Sequence, residues 1–247
     1  MAYASKEAKI ISKQPNVHSY ISENFPVSVQ SALRLLPTHL LSFGPLYDLL
    51  EGFRTDLEFH NEGEFSEKLR VFPIENEHDL EVYAARVAGT VAELCLELVF
   101  YHTYTSTTVH SREHLVRAGG RMGIALQYVN IARDILTDAK IGRVYLPTTW
   151  LKEETITAQD VLEKPDDSVI EPLRSRLLGK AFKAYQEAHG AMEELPVDAR
   201  APMRVAVESY MEIGKVLQKK GYIAREGKAT VPKLRRLKVA WRALNEG

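Results

Sequence analysis

An all-α fold is what the 247-residue sequence predicts, on three observations. Apolar residues recur at spacings of three and four through nearly every segment, the breaks fall at Pro and Gly, and no stretch alternates apolar with polar residues as a half-buried strand does. No repeat, low-complexity tract or linker marks an internal boundary, so a single domain over residues 1–247 is expected. Its architecture would be a helical bundle, in which sites are built by side chains on facing helices.

Each element has its own signal. Residues 5–13 and 16–23 read as short helices, and Val27–Leu36 as a third that Pro37 stops. Gly44 and Pro45 announce a helix over Leu46–Phe59, and the polar, glycine-bearing stretch His60–Phe72 reads as a loop. Glu77–Tyr101 is expected to be one long helix, whose small-residue segment AARVAGTVA would let neighbours approach closely. Ser111 can cap a helix running through Asp138. Gly119, Gly120 and Gly123 inside that helix cost propensity, so a close contact should justify them. Gly142 ends it, and VYLPTTWLKEE leads through an extended turn into a short helix that stops near EKPDDS. Three more helices follow, at Val169–Glu194, Pro202–Lys220 and Val231–Leu244, separated by LPVDARAP and REGKAT.

Composition excludes some functions. Lys and Arg number 32 against 33 for Asp and Glu, so no global field exists to hold a nucleic acid, and an anionic ligand must be gripped by local groups. No run of about 18 apolar residues suits a membrane span, which leaves only peripheral membrane contact. The single cysteine, Cys95, cannot form an internal disulfide, and MAYASKEAKI has no apolar signal-peptide core; a reducing, cytoplasmic setting is expected. Cys95 lies in an apolar helix segment, where a buried, inert thiol is the default. The eight histidines show no metal-binding spacing. The run KLRRLKVAWR is basic and amphipathic, which leaves membrane or partner contact open, and it reads first as a docked terminal helix with a solvated basic face.

Chemistry concentrates in QYVNIARDILTDAKIGRVYLP, Gln127–Pro147. At about 100° per residue, Gln127, Asn130, Asp134 and Asp138 fall within an arc of about 80° on one helix face. Two carboxylates one turn apart repel each other on a helix that wants burial, so something cationic should compensate. Hard oxygen ligands of this kind suit Mg²⁺, which typically shares its remaining positions with waters and phosphate oxygens. Arg133, Arg143 and Tyr145 lie close by for the phosphates. For the bare spacing, a solvated stripe paired to Arg133, Lys140 or Arg143 is the commoner arrangement. A second polar stripe lies in YDLLEGFRTD, where Asp48, Glu51, Gly52 and Thr55 share an arc of about 100° with Asp56 at its margin. Gly52 there makes room for a ligand chain or a neighbouring helix. Glu93 and Glu97 either extend an acidic ring or, more commonly at this spacing, are solvated or paired to Arg.

The full string changes those odds. It closely resembles the second aspartate motif of the squalene and phytoene synthases, fitting at Gln127, Asn130, Arg133, Asp134, Asp138, Gly142, Arg143, Tyr145 and Pro147. PLYDLLEGFRTDL and YAARVAGTVAE resemble two further helices of that family, and LPTTWLKEE is especially similar to the fungal phytoene synthases. The resemblance covers roughly residues 25–220. It implies an all-α isoprenoid synthase fold around a central apolar cavity, with acids and Mg²⁺ at the diphosphate end. Asn130, Asp134 and Asp138 would bind metal, while Arg133, Arg143, Tyr145 and Gln127 would hold a prenyl diphosphate. Tyr47, Glu51, Gly52, Phe53, Val87 and Tyr128 would line the pocket.

One departure shapes the functional expectation. The family's first aspartate motif lies N-terminal to the helix resembling YDLLEGF, and no aspartate precedes Asp48. The domain therefore reads as N-terminally shortened, with Asp48, Glu51 or Asp56 replacing the first motif. On that basis the expected activity is a Mg²⁺-dependent terpene cyclase, a lyase ionising one prenyl diphosphate, most simply farnesyl diphosphate. Two alternatives stay open: a phytoene or squalene synthase completed by another segment or partner, and a non-catalytic relative that binds lipid or assists assembly. A homo-oligomer is also left open.

Overall fold

Every regular element is helical among residues 17–35, 38–59, 71–103, 109–219 and 231–245, which the structure, a computed structural model, describes. The segment 5–13 and the turn REGKAT lie outside those residues, as does most of the loop expected at His60–Phe72. The chain divides into two compact units, residues 1–43 and 44–247.

In the first unit, α1 (Val17–Asn24) and α2 (Val27–Leu35) are joined at Pro26. Gln30 donates its amide to the carbonyls of Ser22 and Phe25 at 3.2 and 2.9 Å, and Arg34 donates to the Ser22 hydroxyl. The two Gln30 bonds satisfy carbonyls that the end of α1 leaves open. A 3₁₀ turn follows at Thr38–Leu40.

The second unit takes nearly all of α3 (Phe43–Glu58). Asn76 then caps α4 (Glu77–Ala84) in a reciprocal box with Asp79. The long helix expected over Glu77–Tyr101 is interrupted: Ala85–Gly89 form a π-helical turn, closed by Thr90 N–H donating to the Ala85 carbonyl, before α5 (Thr90–His102) continues. Helix α6 (Val109–Lys140) starts two residues before Ser111, which is therefore inside it. Gly142, at φ 79°, turns the chain out of α6.

Past Gly142 the expected single short helix is two. Helix α7 (Thr148–Glu153) ends where Thr155 adopts a left-handed φ of 60°, and Thr157 caps α8 (Ala158–Glu163) in a box with Asp160. The T-x-x-D spacing at Thr157 was there to be read. Helix α9 (Ile170–His189) gives way to a 3₁₀ turn at Gly190–Glu194. Helix α10 (Val197–Leu217) begins five residues ahead of Pro202, which sits in its second turn and forgoes a single backbone bond there. Helix α11 (Lys233–Asn245) is the last described element.

Helix α6 runs through the middle of this unit, packed by α9, α5, the π turn and α10. Its glycines explain the approach. A Cβ at Gly123 would lie under 3 Å from the Ala88 carbonyl group and the Gly89 Cα, and one at Gly119 would strike the Leu96 side chain. Gly52 of α3 meets the same turn from another direction, with Val87 Cγ1 at 2.6 Å from the place of its missing Cβ. The room at Gly52 thus serves a neighbouring helix.

Candidate active site

The π turn, α5, α6, α10 and the end of α9 with its 3₁₀ turn line an apolar cavity of about 410 Å³. One face of α6 forms a long wall, from Leu115 through Gly119, Met122, Gly123 and Leu126 to Gln127 and Asn130. The sixteen residues from Leu115 to Asn130 span about 22 Å of helix, so the cavity is long as well as apolar. Val87, Val91 and Leu96 stand opposite, and Met203, Val207 and Tyr210 of α10 complete it. Cys95 also lines it and is exposed, contrary to the expectation of a buried thiol.

Polar groups gather at the Asn130 end. Tyr210 donates its hydroxyl to Asn130 Oδ1 at 2.5 Å, and Asn130 donates to Gln127 Oε1 at 3.3 Å. The helical face then continues beyond the lining to Asp134 and Asp138, about one and two turns on. Arg133 forks both oxygens of Asp134 (Nε to Oδ1 2.8 Å, Nη2 to Oδ2 2.5 Å) and lies over the Tyr210 ring. Local pairing of this acid is thus real, but it stops there. Asp138 forms no ion pair among the described residues, and its carboxyl is pushed up to about 7 by burial first and by the Asp134 charge next.

The chain after Gly142 returns Arg143 and Tyr145 to this acid. Asp138, Arg143 and Tyr145 share a cavity of about 10 Å³, room for one water at most. Asp56 of α3 is the hub beside them. Its Oδ1 accepts the hydroxyls of Tyr83 at 2.9 Å and Tyr145 at 2.8 Å, and its Oδ2 lies 3.5 Å from Arg143 Nη1. The two tyrosine rings stack with centroids 5.0 Å apart, and Phe59 meets Tyr145 edge-on. Burial pushes the Tyr145 phenol up to about 12, so it is a hydrogen-bonding neutral group at ordinary pH. Arg143 keeps a buried Nε with no hydrogen-bond partner. A buried donor left open in this way is what an incoming anionic oxygen would satisfy.

Other candidates lie elsewhere. Tyr47 and Phe53 are exposed on α3, outside the cavity lining. Glu51 pairs with Arg54 along the same helix. Tyr128 is 2% exposed in the core, about 100° around α6 from Gln127. Asp48 stands within electrostatic reach of Glu93, whose carboxyl is raised by burial, by Glu97 and by Asp48. Tyr83 and Tyr210 were not singled out from the sequence, because a tyrosine at helical core spacing looks the same whether or not its hydroxyl faces a site. Among the described residues no group of three or more His, Cys, Asp or Glu forms a metal cage. The acids present fit a divalent ion only if a ligand supplies further oxygens, as a diphosphate does.

An all-helical isoprenoid-synthase fold is the class these features define. A dehydrosqualene synthase in complex with a ligand superimposes with a TM-score of 0.67 at 22% identity, over 98% of this chain and 82% of its own. A squalene synthase from Alicyclobacillus acidocaldarius gives 0.63 at 18%, over 84% and 72%. The chain matches the squalene/phytoene synthase family over residues 5–236, and belongs to that family.

Its curated relatives include proteins of Gibberella fujikuroi (51% identical over 93% of this chain and 39% of the relative) and Phaeosphaeria nodorum (49% over 100% and 40%). Both are named bifunctional lycopene cyclase/phytoene synthase. The chain spans about two fifths of their length. These relatives overturn the expectation of a one-substrate sesquiterpene cyclase, since the family and the names it carries are those of squalene and phytoene synthases. That expectation leaned on the lack of aspartate ahead of Asp48. In a chain that spans two fifths of its relatives, residues not found upstream say nothing about the reaction.

Proposed function

We propose that the protein is a prenyl transferase of the phytoene synthase type, joining two allylic prenyl diphosphates head to head with loss of diphosphate. The observation that carries this reading is the continuous face of α6. It is apolar where it walls the cavity, polar at Gln127 and Asn130, and acidic at Asp134 and Asp138. A prenyl diphosphate has the same polarity along its length.

Asp134 and Asp138, with Asn130 a turn earlier, would hold Mg²⁺, which neutralises the diphosphate charge and assists its departure. Arg143 would bind the diphosphate through its open Nε, oriented by Tyr145 and Asp56. The cavity would keep the prenyl chain and the allylic cation away from water. Names of relatives support a geranylgeranyl substrate, because phytoene is a coupled product of that chain length.

Incubation with geranylgeranyl or farnesyl diphosphate and Mg²⁺, with products read by mass, tests this. The expected product is an acyclic C40 or C30 hydrocarbon, accompanied by diphosphate release that Asp134→Asn and Asp138→Asn each reduce by at least a hundredfold, roughly the loss for a transition-state charge contact. A product built from one prenyl unit, or no release from either substrate, would overturn the reading.

A further inference from the structure

Helix α11 carries Lys233, Arg235, Arg236, Lys238 and Arg242 and no acid in 13 residues, in a chain of net charge −1. Most of it lies beyond residue 236, where the family match ends, and none of it lines the apolar cavity. Its inward side is occupied. Ala243 is buried, its carbonyl accepts from Arg204, and Arg235 pairs with Glu212 of α10.

The sequence suggested that cations would face solvent, and Lys233, Arg236, Lys238 and Arg242 do. Beside them apolar side chains are exposed as well: Leu234, Leu237, Trp241 and Leu244 are 82%, 66%, 71% and 55% exposed. At about 100° per residue they share an arc of about 80°, with Lys238 and Arg242 on one side and Lys233 on the other. Among the described residues none of these three cations is in an ion pair. A narrow apolar stripe with a Trp, bordered on both sides by long cationic side chains, has the layout of a helix lying in a membrane interface.

We propose that the outer face of α11 docks the protein on an anionic membrane surface. Leu234, Leu237, Trp241 and Leu244 enter the headgroup boundary, and Lys233, Lys238 and Arg242 meet acidic lipid headgroups. Charge complementarity selects this occupant, since the stripe is bordered by cations on both sides and the helix has no acid to meet a basic partner.

The test is co-sedimentation of the whole protein with vesicles of phosphatidylcholine, with and without phosphatidylserine. It uses no substrate or metal, so its outcome is independent of the coupling reaction proposed above. The protein should partition onto phosphatidylserine vesicles, and Trp241 emission should shift to the blue. Leu237→Glu with Trp241→Glu should abolish partitioning. Lys238→Gln with Arg242→Gln should weaken it by about tenfold, and so should added salt. All four side chains are exposed, so circular dichroism and the unfolding midpoint should stay unchanged. Failure to bind phosphatidylserine vesicles, or binding that the Leu237/Trp241 variant retains, would overturn the proposal. So would a dimer that Trp241→Glu dissociates, which would give the face to a second copy of the chain.

Discussion

Tyr145 and Asp56, 89 residues apart in sequence, meet through a 2.8 Å hydrogen bond from the phenol to the carboxylate. Tyr83 donates to the same Oδ1. One oxygen on α3 thus aligns two stacked tyrosines, and the other stands beside Arg143. The polar stripe of α3 reaches the aspartate motif through this anchor.

Asp56→Ala should therefore cost stability as well as function. It strips the acceptor from two buried phenols, a loss of about 1–3 kcal/mol by the usual penalty for unsatisfied groups. Asp56→Asn, which keeps one acceptor oxygen, should cost less. Urea midpoints of the three proteins measure this, and an unchanged midpoint for Asp56→Ala would rule out the anchoring role.

Glycine substitutions should split by position. Gly123→Ala improves helix propensity, yet its Cβ would press into the backbone at Ala88 and Gly89, which cannot swing away as a side chain can. Overpacking should win, with a net loss of about 1–3 kcal/mol. Gly179→Ala on α9 meets nothing within 4 Å and should stabilise by about 0.5–1 kcal/mol. Equal midpoint shifts in the two variants would contradict the close crossing of α6 and the π turn.

That crossing also marks what the sequence could convey. The three glycines in α6 announced a close neighbour, and periodicity placed most helices within a few residues of their observed ends. The i, i+4 acids and Arg143 could be picked out as candidates because residue type and spacing carry such chemistry. The π turn was not, because a single widened turn carries no residue type of its own to announce it. Nor was the anchor formed by Tyr83, Tyr145 and Asp56, which depends on how three distant segments pack. Tyr47 and Phe53 were assigned to the pocket by proximity to a motif, whereas the rotation of α3 leaves them in solvent.

Cys95 offers a direct probe of the cavity. It is the only cysteine in the chain, it lines the apolar wall, and it is exposed. A maleimide should label it in the folded protein, and a bulky adduct should block coupling. A prenyl diphosphate bound with Mg²⁺ should slow labelling by tenfold or so, the occupancy effect expected at about ten times the dissociation constant. Cys95→Ser should keep activity and lose sensitivity. Labelling at the same rate with and without substrate would place the prenyl chain elsewhere.

Asp138 links charge at the site to stability. Its carboxyl titrates at about 7 in the folded chain against an ordinary 3.8, because burial and Asp134 disfavour the charged form more than Arg143 and Arg133 favour it; Asp56 adds to the repulsion. Between those two pH values the folded state holds a proton that the unfolded state has released. The contribution of this group therefore falls as pH rises from about 4 to about 7, the reverse of a salt-bridged aspartate. With divalent ions chelated, Asp138→Asn should raise the thermal midpoint at pH 8 and leave it unchanged at pH 3, where both proteins are neutral at this position. Added Mg²⁺ with a prenyl diphosphate should stabilise the parent protein and not the variant. If Asp138 holds the metal as proposed, the same substitution should reduce coupling at least a hundredfold, and the acid that weakens the fold would be one the reaction uses. If the variant is no more stable than the parent at pH 8 without metal, Asp138 does not carry that uncompensated charge.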